Sequence, residues 1–235
     1  MSERDCFYKV SVKVRVFRWL FRPIFRFLFR ALSRVEIRGL ENIPRNGAYM
    51  IAINHISIFE PPFVLAFWPK APEAVGAREI WSRRGQSFLA RIYGGIPVRR
   101  GEYDRQLLET MIAVLKSGRA LLIAPEGGRS HTPGLRRAYP GVAYVLEKAR
   151  VPVVPVGITG STEDFLQKAM KGQRPCLQMC IGKPFLLPPL EAHCQNRRIA
   201  LRKNADMIMV RIAELLPPEY QGVYADGNLT LIETA

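Results

Sequence analysis

Three short apolar runs constrain this chain more than any other feature. They are Tyr49-Met50-Ile51-Ala52-Ile53, Ala120-Leu121-Leu122-Ile123-Ala124 and Val151-Pro152-Val153-Val154-Pro155-Val156-Gly157-Ile158. A strand covered on both faces reads as a continuous apolar stretch, because neither face meets water. Residues 74–77 and 177–181 read as further strands, and 35–46 as a loop or short strand leading in. Helical segments lie between them. Residues 104–116 put Leu107, Leu108, Met111, Ile112 and Leu115 on one face, with Gly118 as the stop. Residues 63–68, 80–93, 140–150 and 196–216 read as four more helices, stopped in turn by Pro69, Gly94-Gly95, the valine-rich run and Pro217-Pro218. The prolines of the 151–158 run predict a strand with partly unpaired edges. Strands alternating with helices imply one α/β domain. It spans residues 35–225, after a helical segment at 1–34 and before a loose tail at 226–235.

The strands deliver unusual polar residues. The first run leads into Asn54-His55-Ile56-Ser57-Ile58-Phe59-Glu60 and then two prolines. Imidazole takes a proton near neutral pH, and a carboxylate can hold the ring in one tautomer. Ser57-x-x-Glu60 also fits a capping box, although Pro61-Pro62 argue for a helix that starts at Pro61. The segment Gly95-Ile96-Pro97-Val98 ends in Arg99-Arg100, whose planar forks suit phosphate oxygens. The second run ends in Pro125-Glu126-Gly127-Gly128-Arg129-Ser130, where glycines admit close backbone approach and their amides can face anionic oxygens. Taken singly, each has a plain structural reading. Together they stand at three strand ends, where open α/β sheets bind ligands.

The 235 residues carry a formal charge of +15, which points to an anionic partner. Residues 1–34 hold nine Lys/Arg against two Asp/Glu. Within 9–34, Arg15, Arg18, Arg22, Arg26, Arg30 and Arg34 recur every three or four residues, the spacing of one broad helix face. Phe17, Leu20, Phe21, Ile24, Phe25, Leu28 and Leu32 fall opposite, with Trp19 and Phe29 on the arginine side or its border. Arginine at every turn excludes a spanning helix. The pattern predicts a helix in the membrane interface, kinked or split at Pro23, with aromatic residues among acyl chains and guanidinium groups at lipid phosphates. Its contacts would be Arg15, Arg18, Trp19, Phe21, Arg22, Phe25, Arg26, Phe29 and Arg30. The Phe/Leu face argues against a nucleic-acid arm. The four cysteines and three histidines show no zinc spacing. Cys176 and Cys180 read as buried free thiols, which favours a reducing compartment.

Asn-His-(four)-acid, Gly-Ile-Pro-Val-x-Arg, Pro-Glu-Gly-Gly-Arg-Ser and Val-Pro-Val-Val-Pro-Val occur in this order. They resemble the four sequence blocks of the glycerolipid acyltransferases, specifically the bacterial 1-acylglycerol-3-phosphate acyltransferases. The resemblance covers about residues 35–225. It implies a mixed, mostly parallel sheet flanked by helices. It further implies acyl transfer from acyl-CoA or acyl carrier protein to a lysophospholipid hydroxyl, with no resident cofactor, on the cytoplasmic face of the cell membrane. His55 would be the general base and Glu60 its supporting acid. Arg100 would bind phosphate, with Arg99 as an additional contact. Glu126, Gly127 and Arg129 would hold the acceptor's glycerol phosphate, and Pro155 would shape the acyl or donor side. Glu60 stands where the family usually has Asp, and the extra methylene moves the carboxylate by over ~1 Å, a scale that matters for rate. That substitution also admits a non-catalytic membrane-binding relative. Another lysolipid or glycerol 3-phosphate is the alternative acceptor.

Overall fold

The computed structural model describes residues 8–82, 85–99, 104–130, 133–190 and 196–227. Seven strands form one sheet in the order β1 (Arg34–Arg38), β7 (Cys176–Ile181), β6 (Val153–Thr159), β2 (Met50–Ile53), β5 (Leu121–Ile123), β3 (Glu73–Ala77), β4 (Ile96–Val98). β6, β2, β5, β3 and β4 run parallel, so their C-terminal ends share one edge. β7 pairs antiparallel to β6 and parallel to β1. The sheet is therefore mixed and mostly parallel.

Alternation along the strands splits the core in two. Ile51 and Ile53 of β2 pack with α1 (Val12–Leu32) and α2 (Glu60–Phe67) on one face. Met50 and Ala52 pack with α4 (Arg105–Lys116), α5 (Gly141–Ala149) and α7 (Arg197–Ala213) on the other. Successive residues of a strand point to opposite faces, so a run apolar throughout supplies both layers. α3 (Gln86–Tyr93) follows a 3₁₀ turn at Arg78–Ser82, and Gly94 in the left-handed region ends it. α6 (Phe165–Met170) lies between β6 and β7 in sequence.

The strand β6 is interior rather than edge-like. Both its flanks are paired, yet Pro155 is tolerated. Its carbonyl accepts from Gly182, one residue past the end of β7, so the missing N–H falls where the ladder has stopped. Cys176 is exposed and Cys180 half-buried, both free, because β7 turns these positions away from the core. The expectation of buried thiols is corrected accordingly.

The helix α1 departs most from the sequence reading. It is continuous through Pro23, which lies on the exposed side. Three of its arginines, Arg18, Arg22 and Arg26, turn inward. Arg18, 3% exposed, donates to both carboxylate oxygens of the fully buried Glu73, at 2.8 and 2.6 Å, and to the Tyr93 carbonyl at 3.0 Å. Arg119 and Tyr8 also donate to Glu73. Arg22 donates to the carbonyls of Trp68 and Pro69, and Arg26 to that of Ala66, so both satisfy the C-terminal end of α2. Phe21 and Phe29 are buried, and Phe25 stacks on Phe21. Thus Arg18, Phe21 and Phe29 are not surface residues, and Arg22, Phe25 and Arg26 are half-buried. Arg15, Trp19 and Arg30 remain exposed. Periodicity fixed the helix but not its rotation, because carbonyl and carboxylate acceptors from distant segments select the inward arginines. The face left outside carries Val12, Val16, Trp19, Leu20, Ile24 and Phe27, with Trp19 75% and Phe27 71% exposed. Among the described residues no helix is long and apolar enough to cross a membrane.

Candidate active site

The shared C-terminal edge of the parallel strands gathers the polar residues. His55 leaves β2, Glu126 leaves β5, Arg99 leaves β4, and Ser161 follows β6. His55 Nδ1 lies 2.9 Å from Glu60 Oε2. Glu60 is the first residue of α2, one position earlier than the prolines suggested, and is fully buried. Its carboxylate is heavily solvated by the protein. The Ser57 backbone N–H donates to both oxygens at 2.9 and 3.0 Å, the Ser57 hydroxyl donates to Oε1 at 2.9 Å, and the Ser161 hydroxyl donates to Oε1 as well. The capping box does not form, because Phe59 rather than Ser57 is the N-cap of α2 and the Ser57 hydroxyl accepts from the Phe59 N–H; one carboxylate ties the Ser57 turn and meets the imidazole.

A second buried carboxylate supports the dyad from behind. Glu126 Oε1 accepts from the His55 backbone N–H at 3.0 Å, and Oε2 accepts from the Arg136 N–H at 2.9 Å. Burial pushes this carboxyl up to about 7, against the lowering effect of those two N–H groups and of the Arg136 charge. Both its oxygens are used by the backbone, so in this arrangement Glu126 positions the β2 exit. Ser130 N–H adds a bond to the His55 carbonyl at 2.8 Å. Asn54 fixes the neighbouring strand, accepting from the Ile158 N–H at 2.7 Å and donating to the Ile158 carbonyl at 2.8 Å.

His55 opens onto a cavity of about 880 Å³. Its wall is mainly apolar: Phe25, Leu28 and Leu32 of α1, Leu65 of α2, Leu107 and Met111 of α4, and Phe165 beyond β6. The polar part of the wall includes Arg99, Gly127, Gly128 and Arg129, together with Glu79, Gln86 and Asp104. Gly127 sits at φ +64°, where a side chain is strained, and a Cβ there would come within 2.6 Å of the Tyr139 ring and displace it. The Arg136 guanidinium lies beside Gly128 and donates to the Arg129 carbonyl.

His55, Glu60, Glu126, Gly127, Arg129 and Arg99 are thus brought to one edge. Arg100 lies outside the described residues. Pro155 is not brought to the cavity wall. Its ring packs on Gly182 inside the sheet. Sequence reasoning missed Asn54, Ser161 and Arg136. Asn54 stands in the sequence only as the neighbour of His55, and Ser161 and Arg136 are one serine and one arginine among many, distant in sequence from the residues they serve. Among the described residues no three His, Cys, Asp or Glu side chains converge as a metal site would require.

A chloroplastic 1-acyl-sn-glycerol-3-phosphate acyltransferase of Brassica napus is 21% identical over 177 residues. The match takes in 74% of this chain and 51% of that protein, so the chain spans about half the length of this curated relative. The crystal structure of the 1-acyl-sn-glycerophosphate (LPA) acyltransferase from Thermotoga maritima superposes with a TM-score of 0.63 at 22% identity, over 90% of this chain and 84% of that one. That likeness establishes a shared fold. A family model described as Acyltransferase matches residues 34–159, more than half of the sequence and the whole stretch from β1 through the His55, Arg99 and Glu126 strand ends to the end of β6, and the chain belongs to that acyltransferase family.

Proposed function

We propose that this chain transfers a fatty acyl group from an acyl thioester, acyl-CoA or acyl carrier protein, to the free hydroxyl of 1-acylglycerol 3-phosphate, giving phosphatidic acid. The observation that carries the reading is the 2.9 Å contact between His55 Nδ1 and Glu60 in the wall of a large apolar cavity. With Nδ1 committed to the carboxylate, Nε2 is the nitrogen left to receive a proton. It takes the proton of the acceptor hydroxyl as that oxygen attacks the thioester carbonyl. The tetrahedral adduct then collapses, the C–S bond breaks, and the imidazolium returns the proton to the leaving thiolate. Glu60 stabilises the imidazolium, as the acid of a catalytic triad does, while the substrate hydroxyl replaces the serine. The apolar wall suits acyl chains. Arg129, Arg99 and the Gly127-Gly128 backbone supply positive charge and close approach for the acceptor phosphate.

The acceptor lies in a bilayer, and the outer face of α1 suits that surface. Val12, Val16, Trp19, Leu20 and Phe27 form an apolar stripe with exposed Arg15 and Arg30 beside it, the composition of an interfacial helix on an anionic leaflet such as the cytoplasmic face of a cell membrane. In this reading it is the outward stripe, rather than the inward Phe21 and Phe29, that dips among the lipids.

The test is thiol release from acyl-CoA on vesicles, with and without lysophosphatidic acid. Acceptor-dependent release is expected, reduced by a factor of 10² or more, on the order of general-base catalysis, in His55→Ala. Undiminished turnover in that variant refutes the reading. Replacing Trp19 and Phe27 together by alanine should weaken binding to anionic vesicles about tenfold or more while leaving stability within about 0.5 kcal/mol. Unchanged vesicle binding would refute the membrane role of α1.

A further inference from the structure

The proposed dyad uses glutamate where the resembling motif has aspartate, and the structure contains a residue that accommodates the longer side chain. Glutamate has one more rotor than aspartate, so an unrestrained carboxylate would sample orientations in which neither oxygen meets His55 Nδ1. Two of the donors to Glu60 come from Ser57, three residues away in the same turn, and would move with that turn. The Ser161 hydroxyl is different. It comes from 101 positions away, at the end of β6, and is fully buried.

Three features fix where it stands. Asn54 clamps the end of β2 to Ile158 of β6 with two hydrogen bonds. Gly160, at φ +83°, turns the chain into Ser161, and a Cβ there would lie 1.9 Å from the Cys176 carbonyl oxygen. The Gly160 N–H is also held by the Tyr220 hydroxyl at 3.2 Å. Ser161 therefore approaches Glu60 from a rigid strand end rather than a loose loop.

We infer that Ser161 is a positioning residue for the dyad: it pins Glu60 Oε1, so that Oε2 of the longer carboxylate faces His55. The inference rests on the reading of His55 as the base. Glu60 and Ser161 then form a matched pair, and aspartate at position 60 would draw the carboxylate away from Ser161 by over ~1 Å, the scale at which misplacement costs rate.

The experiment is a cycle of Ser161→Ala, Glu60→Asp and the double variant, with His55→Ala alongside, each assayed on vesicles for kcat, KM and the pH dependence of kcat. Ser33→Ala is the stability control. Ser33 is equally buried, donates to the Phe29 carbonyl, and lies outside the site. Ser161→Ala should lower kcat about tenfold or more, keep KM within about twofold and move the acid limb of the kcat profile, while Ser33→Ala should change none of these. Glu60→Asp should cost less in the Ser161→Ala background than alone, because the lost contact is shared. Normal kcat and pH profile in Ser161→Ala, or multiplicative effects in the double variant, overturn the inference while His55→Ala remains inactive. A fully active His55→Ala overturns both the base reading and this one.

Discussion

Replacing Arg18 by methionine separates the two orientations of α1. If Arg18 faced lipid phosphates, the change would leave stability nearly untouched, as surface substitutions do, within about 0.5 kcal/mol. The structure buries it to 3% exposure with three hydrogen bonds, two to Glu73 and one to the Tyr93 carbonyl, and stacks its guanidinium 4.4 Å from the centroid of the Tyr93 ring. Removing one partner of a buried ion pair costs about 3–5 kcal/mol, because the other charge is left uncompensated. Here Arg119 and Tyr8 still donate to Glu73, so the loss should fall near the lower end, about 3 kcal/mol. Methionine fills the apolar stem of the arginine, which keeps a cavity from adding to the cost. Arg119→Met provides the internal scale. Its side chain is about one-third exposed, and solvent screening reduces the expected loss to about 1 kcal/mol. Urea unfolding read by tryptophan fluorescence gives both values from the shift of the midpoint at constant slope. Equal, sub-kcal/mol losses in the two variants would refute the buried network and the rotation of α1 that depends on it.

Glu126 predicts a pH effect with a definite sign. Its folded carboxyl is raised from 4.5 to about 7 by burial, so the folded state holds a proton that the unfolded state has released. Its contribution therefore destabilises progressively as pH rises from about 4.5 to about 7, and is constant above that, with a ceiling of about 3 kcal/mol. Urea midpoints at pH 5 and pH 8 should differ less in Glu126→Gln than in the parent. The same variant should be less active, since an amide cannot accept from both the His55 and Arg136 N–H groups and leaves one unpaired, a loss of about 1–3 kcal/mol. Gly160→Ala should be destabilised by more than the ~1 kcal/mol of backbone propensity, because its Cβ would strike the Cys176 carbonyl oxygen. A midpoint within error of the parent would refute the tight β6 exit.

The sequence by itself determined the α/β class, most strand positions and the three polar strand ends. Short continuous apolar runs suit strands buried on both faces, and a parallel arrangement sends all their ends to one edge. That is why His55, Arg99 and Glu126 were legible before any coordinate. Residue type likewise announced an acid five positions after His55. The tertiary structure alone decided what depends on distant partners. It turned three of the α1 arginines toward Glu73 and the end of α2, where buried acceptors outweigh the attraction of solvent, and so left Trp19 and Phe27 outside. It kept Pro155 in the sheet interior, because the ladder of β7 ends one residue earlier. It made Glu126 a support of the His55 backbone, and it brought Ser161 across 101 residues onto Glu60. Periodicity fixes which residues share a face. Only packing against a particular neighbour fixes which face looks inward, and only a fold can tell which of many serines donates to a given carboxylate.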